Sequence, residues 1–382
     1  MNFLGIKFKK IEYIVPALVL VLVLVGFVAL TIATASPFTG EELTFGEIMA
    51  NLDFSIVGLQ AIFFVIGVAI MLVLMFVDYR IYSKIWFLVL LVGLALLGLV
   101  AVFGSALGGT KGWIYIGSFT VQPSEIVKLA MILVCAKFLA ESPLEKFTDV
   151  LPAVGVFVAI IAVLLYQMDI GTTIVYVVAF VGMAFLAGMK LRHMGIFAGA
   201  ALAFGVFAWF VLLGPKQQSR IINFFNRTGD SDAFLQLNHS IAAIGSGGFA
   251  GKGLFSVGAL SQLDYVPVLE TDFIFVAIAE SFGFVGCFIL LVIYAVLIFR
   301  LFLIARRTED RFGAIIIYGI MFMLMFHVFE NIGMTIGIMP ITGIPLPFIS
   351  KGGTSMITNM AAIGLVLSVC YHAPDKERES TL

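Results

Sequence analysis

The sequence predicts an all-α, polytopic membrane protein. Of its 382 residues, 62% are hydrophobic and 12% charged, with a mean hydropathy of +1.14. The apolar residues gather in ten runs, most close to the roughly 20 residues that span a bilayer as a helix. Basic residues concentrate on one side of the implied topology, as they do in short cytoplasmic loops.

The runs lie at 12–34, 55–77, 85–104, 124–140, 151–167, 170–189, 194–213, 273–304, 313–338 and 349–371. The first follows Lys7, Lys9 and Lys10 and exceeds a signal peptide in length, so it reads as a retained helix. Pro123 suits the opening turn of the fourth, where Gln122 or Ser124 would cap. The fifth and sixth are separated only by polar Gln167 to Asp169 and Gly171, with Asp169 placed to cap the sixth. Asp272, with Thr271, stands where an N-cap of the eighth would be. With both termini inside, fourteen Lys and Arg fall inside and six outside, and Lys128 and Lys137 fall within the fourth helix.

The chain reads as one integral-membrane domain, 1–382, with one long outer loop over 214–271. A loop of that length inside a compact protein is usually functional. A net charge of −1 gives nucleic acid no electrostatic hold. Cys135, Cys287 and Cys370 all lie in apolar runs and read as buried hydrophobes.

Several constellations suit chemistry. Asp272 is a carboxylate at the edge of the hydrocarbon layer, where a charge is expensive and marks a site; it would act as a general base or a metal ligand. Glu280, eight residues on, lies about 12 Å away along a helix. Glu125 and Lys128 share one helix face and suit an ion pair. His327 and Glu330 share another and suit hydrogen bonds between helices. Lys111 beside Trp113 could hold a sugar or headgroup, and Arg220 opens an amphipathic stretch. The run from Gly245 through Ser246 to Lys252 and Gly253 fails the phosphate-loop pattern. It reads either as a re-entrant turn or as a set of N–H groups open to an anion. Three prolines and several glycines over 331–355, including Ser350 and Lys351, break a helix at membrane depth. Such backbone survives only buried in protein or lining a watery cavity.

Four blocks together resemble the SEDS (shape, elongation, division, sporulation) family: Gly112–Gly117 with Gln122–Lys128, Asp169–Thr172, Gly245–Phe275, and Asn331–Ser355. Asn-Ile-Gly-Met-Thr at 331–335 is similar to the elongation (RodA-like) branch more than to the division (FtsW-like) one. The resemblance implies a peptidoglycan glycosyltransferase that polymerises lipid II at the outer face of the bacterial cytoplasmic membrane, with Asp272 as the essential acid. Beside the resemblance, substrate contacts are expected from Lys111, Trp113, Glu125, Lys128, Asp169, Arg220, Ser246, Lys252, Ser350 and Lys351. The resemblance further implies a class B penicillin-binding protein and other elongation-complex proteins as partners, undecaprenyl-pyrophosphate-linked glycan as donor and membrane lipids around the chain. The leaving pyrophosphate needs cationic stabilisation, which Lys111, Arg220, Lys252, Lys351 or a divalent cation, Mg or Mn, could give, and no organic cofactor is expected. The chain departs from the family pattern at three places. Lys111-Gly112-Trp113 replaces Arg-Arg-Trp, Lys351 replaces the Tyr of Ser-Tyr-Gly-Gly, and Val268 and Glu270 replace the Glu and His before Thr271-Asp272. The rival expectation is a lipid II flippase, which would need polar residues running through to the inner face.

Overall fold

A computed structural model describes residues 12–36, 45–107, 110–117, 119–211, 232–263 and 265–373, with the paired two-residue strands Asn2–Phe3 and Ile6–Lys7 and isolated positions 214, 218 and 222. Each of the ten apolar runs is a helix. They are α1 (Ile14–Ala33), α2 (Ser55–Phe76), α3 (Trp86–Phe103), α4 (Pro123–Glu141), α5 (Leu151–Tyr166), α6 (Ile170–Leu186), α7 (Leu191–Val211), α8 (Ile274–Arg307), α9 (Arg311–Thr335) and α10 (Gly353–His372). Seven are long and apolar enough to cross a membrane; α5 and α6 are apolar but shorter. The remaining helix, α4, carries Glu125, Lys128, Lys137 and Glu141. Between α3 and α4 a small antiparallel sheet forms, β1 (Ser105–Leu107), β2 (Thr110–Ile116) and β3 (Phe119–Val121), in the order β1-β2-β3.

Helices α9 and α10 are the centre: 72% of the spanning window of each is covered by protein, against 6% for α7. Packing follows small residues, as expected where no solvent drives helices together. A Cβ on Gly182 of α6 would lie 2.2 Å from the Phe322 ring of α9, and one on Gly364 of α10 would lie 2.8 Å from Met71 O of α2. Asp169 caps α6 as expected, accepting from Thr172 N–H at 3.2 Å. The Gln122 side chain does not cap α4; it reaches to Asp169 Oδ2 instead. Asp272 is not the N-cap residue of α8; that position is Phe273, which gives no side-chain cap.

The two ends of the bundle are tied differently. At one end Asp310 accepts from Tyr79 Oη (2.6 Å) and from Gly313 N–H (3.0 Å). Arg311 beside it donates to the carbonyls of Ala140, Ser142 and Ala187. At the other end lie the loops that hold Asp169, Asp272 and Lys351.

Candidate active site

Non-helical backbone builds this end. Residues 336–352 leave α9 and return to α10 without regular structure, and hydrogen bonds to several helices help to pin them. Asn331 Nδ2 donates to both Asp272 O and Ile344 O at 2.8 Å, so one amide joins the segment before α8 to the segment after α9. Tyr294 Oη donates to Pro347 O (2.6 Å), and Gln60 of α2 donates to Ser350 O and accepts from Gly352 N–H. Gly343 has φ +75, and a Cβ there would lie 3.3 Å from Asp272 Oδ2. The Asp272 carboxylate, half-buried, therefore lies directly over a position of the loop without a side chain.

A second polar group lies within the bundle. Lys128 Nζ, buried, donates to Glu125 Oε1 and His327 Nε2, both at 2.8 Å. An ammonium has no acceptor, so Nε2 accepts and Nδ1 carries the proton that goes to Met323 O at 2.6 Å. Glu330, one turn on from His327 and fully buried, accepts from Thr342 Oγ1 at 2.9 Å, tying α9 to the 336–352 loop. Asp169 adjoins the start of α4: Gln122 Nε2 and Ser124 Oγ donate to its Oδ2 at 3.3 Å. Burial raises the Asp169 carboxyl above the usual carboxylate range, and the Thr172 bonds oppose this.

The glycine run does a third job. Helix α8 is broken at Gly283 (φ 62, ψ −162). The N–H groups of Lys252 and Gly253 donate to Glu280 O and Ser281 O, while those of Phe284 and Val285 donate to Gly248 O and Phe249 O. Those amides are used in stitching the break, which is the re-entrant-turn reading of the run. Ser246 and Lys252, expected on substrate, both meet Glu280. Lys252 Nζ lies 2.6 Å and Ser246 Oγ 3.1 Å from Oε1, and the Leu260 and Ser261 N–H groups donate to the same carboxylate at 2.8 Å. Ser350 is likewise occupied, its Oγ accepting from Leu346 N–H at 2.8 Å.

Lys351 meets Glu270 twice, N–H to carbonyl at 2.9 Å and Nζ to Oε1 at 3.4 Å. The departures at 270 and 351 thus face one another. No single-residue signal in the sequence shows this pairing, since 81 positions separate the two. Trp113 lies in β2, half-buried. Lys111 lies in the same strand with its side chain outside the described residues, as is Arg220 altogether. Among the described residues no three His, Cys, Asp or Glu side chains converge to hold a metal ion.

The model of the cell cycle protein family that unites FtsW, RodA and SpoVE matches residues 13–374. The chain belongs to this family. It is 34% identical over 362 residues to stage V sporulation protein E of Bacillus subtilis (strain 168), covering 93% of this chain and 97% of that one. It is 36% identical over 310 residues to the peptidoglycan glycosyltransferase MrdB of Escherichia coli (strain K12), covering 80% and 83%. A solved structure described as the structural coordination of polymerization and crosslinking by a peptidoglycan synthase complex superposes with a TM-score of 0.78 at 27% identity, over 94% of this chain and 97% of that one.

Proposed function

We propose that this chain is a peptidoglycan glycosyltransferase that polymerises lipid II at the outer face of the cytoplasmic membrane during cell elongation. One observation carries the reading. Asp272 stands where two irregular loops meet, its backbone carbonyl bound by Asn331 and its carboxylate faced by the side-chain-free Gly343. The relative MrdB is named for this activity.

The donor is a glycan strand on a lipid pyrophosphate, and the acceptor is lipid II. Asp272 takes the proton from the acceptor's sugar hydroxyl as its oxygen attacks the donor's anomeric carbon. The bond to the pyrophosphate breaks as the glycosidic bond forms, and the lipid pyrophosphate leaves with its electron pair. An α-linked donor and a β product require inversion, so no covalent enzyme intermediate arises. Asp272 would be the residue to hold a divalent cation, which would supply positive charge for the departing pyrophosphate.

Positive charge favours the Arg311 end as cytoplasmic and the Asp272 end as external. A class B penicillin-binding protein is the partner we assign for crosslinking, in keeping with the similar synthase complex, in which polymerization and crosslinking are coordinated. A flippase fits less well. Below Lys128 the buried face of α4 is apolar from Leu129 to Ala136, and that of α9 is apolar from Phe326 back to Ile315 apart from glycine. No polar path continues to the Arg311 end along those faces.

The test is polymerisation of purified lipid II in detergent, where transport has no meaning. The Asp272→Asn variant should fold normally and make no polymer. A variant that still polymerises removes the base, and a wild-type chain that is inactive with and without its partner removes the reading.

A further inference from the structure

We propose that Lys351 binds a phosphate of the lipid-linked substrate and that Glu270 is the counter-ion this phosphate displaces. The identity of the ligand rests on the polymerase reading above; the site itself rests on geometry. Three lysines with described side chains stand at this end, and their counter-ions differ. Lys128 is sealed, with 2% of its side chain exposed and two partners at 2.8 Å. Lys252 is 2.6 Å from Glu280, whose side chain is 1% exposed and takes two backbone N–H bonds besides. Neither can trade its partner without stranding a buried charge.

Lys351 is different. Its side chain is 34% exposed, that of Glu270 is 29% exposed, and the 3.4 Å between them is the longest ion pair among the described residues. An exposed pair of this kind contributes little and exchanges readily. The backbone bond from Lys351 N–H to Glu270 O keeps both residues in place when the side chains part. Two features then favour an anion at this spot. Helix α10 begins two residues on, at Gly353, with Gly352 giving no side-chain cap, so its first N–H groups and its positive end face the same region. Asp272 lies two residues from Glu270, which places the displaced position beside the proposed base.

The test uses the purified full-length chain and farnesyl pyrophosphate as probe, with farnesol as the uncharged control, measured by calorimetry. Glu270→Gln should tighten pyrophosphate binding about threefold, the scale of one exposed ion pair. Lys351→Gln should weaken it about tenfold, the scale of one charge-assisted hydrogen bond. The double variant should match Lys351→Gln alone, and Lys351→Arg should retain binding. The proposal is overturned if Glu270→Gln weakens binding as a structural clasp would, if Lys351→Gln leaves it unchanged, or if farnesol binds equally well. Thermal unfolding checks each variant's fold. The expected ranking in a chain that makes no polymer would keep this site and sink the polymerase reading; polymer formation without the ranking would do the reverse.

Discussion

Asn331 carries more of the site than its neutral amide suggests. Its Nδ2 satisfies Asp272 O and Ile344 O together, so replacing it strands two partly enclosed carbonyls at about 1–3 kcal/mol each. Asn331→Leu should therefore lower the thermal unfolding midpoint and cut polymerisation more than tenfold, read by glycan product on gels. Lys128 sets up a sharper contrast. Lys128→Met alone leaves Glu125 buried without its cation, at about 3–5 kcal/mol. Adding Glu125→Gln should recover most of that stability in detergent unfolding, while polymerisation stays low if the pair also touches substrate. A double variant no more stable than the single would show that the buried charge is not what costs.

At the scale of elements, the decisive feature is the break in α8. A continuous 34-residue helix would run about 51 Å, well beyond the roughly 30 Å of hydrocarbon. The Gly283 break leaves 284–307 as the spanning piece and 274–282 as a buried half-helix that carries Glu280 beneath the outer loop. Gly251 is among the tightest parts of the join. It has φ +84, and a Cβ there would lie 2.2 Å from Ser281 O. Gly251→Ala thus meets left-handed strain of about 1–2 kcal/mol before any clash is counted. The expected result is faster proteolysis within 246–262 and reduced polymerisation, with the α9–α10 centre intact by hydrogen exchange. Unchanged cleavage would mean that the stitch does not hold the loop.

Across the whole molecule, the bundle has one end clasped by Arg311 and Asp310 and another that gathers Asp169, Asp272 and Lys351. The orientation proposed from charge is testable in cells. In a background without Cys135, Cys287 and Cys370, Glu270→Cys should react with an impermeant maleimide from outside. Arg192→Cys should react only after permeabilisation. The opposite pattern would place the Asp272 end in the cytoplasm and defeat polymerisation at the outer face. The family relatives include a sporulation protein at 34% identity and MrdB at 36%, so the elongation role rests on growth phenotypes of a depletion strain.

The sequence by itself determined the ten helices, because apolar runs of spanning length have no other stable fold in lipid. It also determined the local pairs: Glu125 with Lys128 at i,i+3, and Asp169 with the first turn of α6, are set by helix geometry alone. It singled out Asp272 as a costly charge, and its motifs gave the family. Only the tertiary structure decided which charges are already engaged. Ser246 and Lys252 belong to Glu280, Lys128 to His327, and Lys351 to Glu270, across 34, 28, 199 and 81 positions respectively. The reason is physical. A helix repeats every 3.6 residues and so reports its own face, whereas the partner of a buried charge is chosen by which other helix packs there, and no local period records that choice.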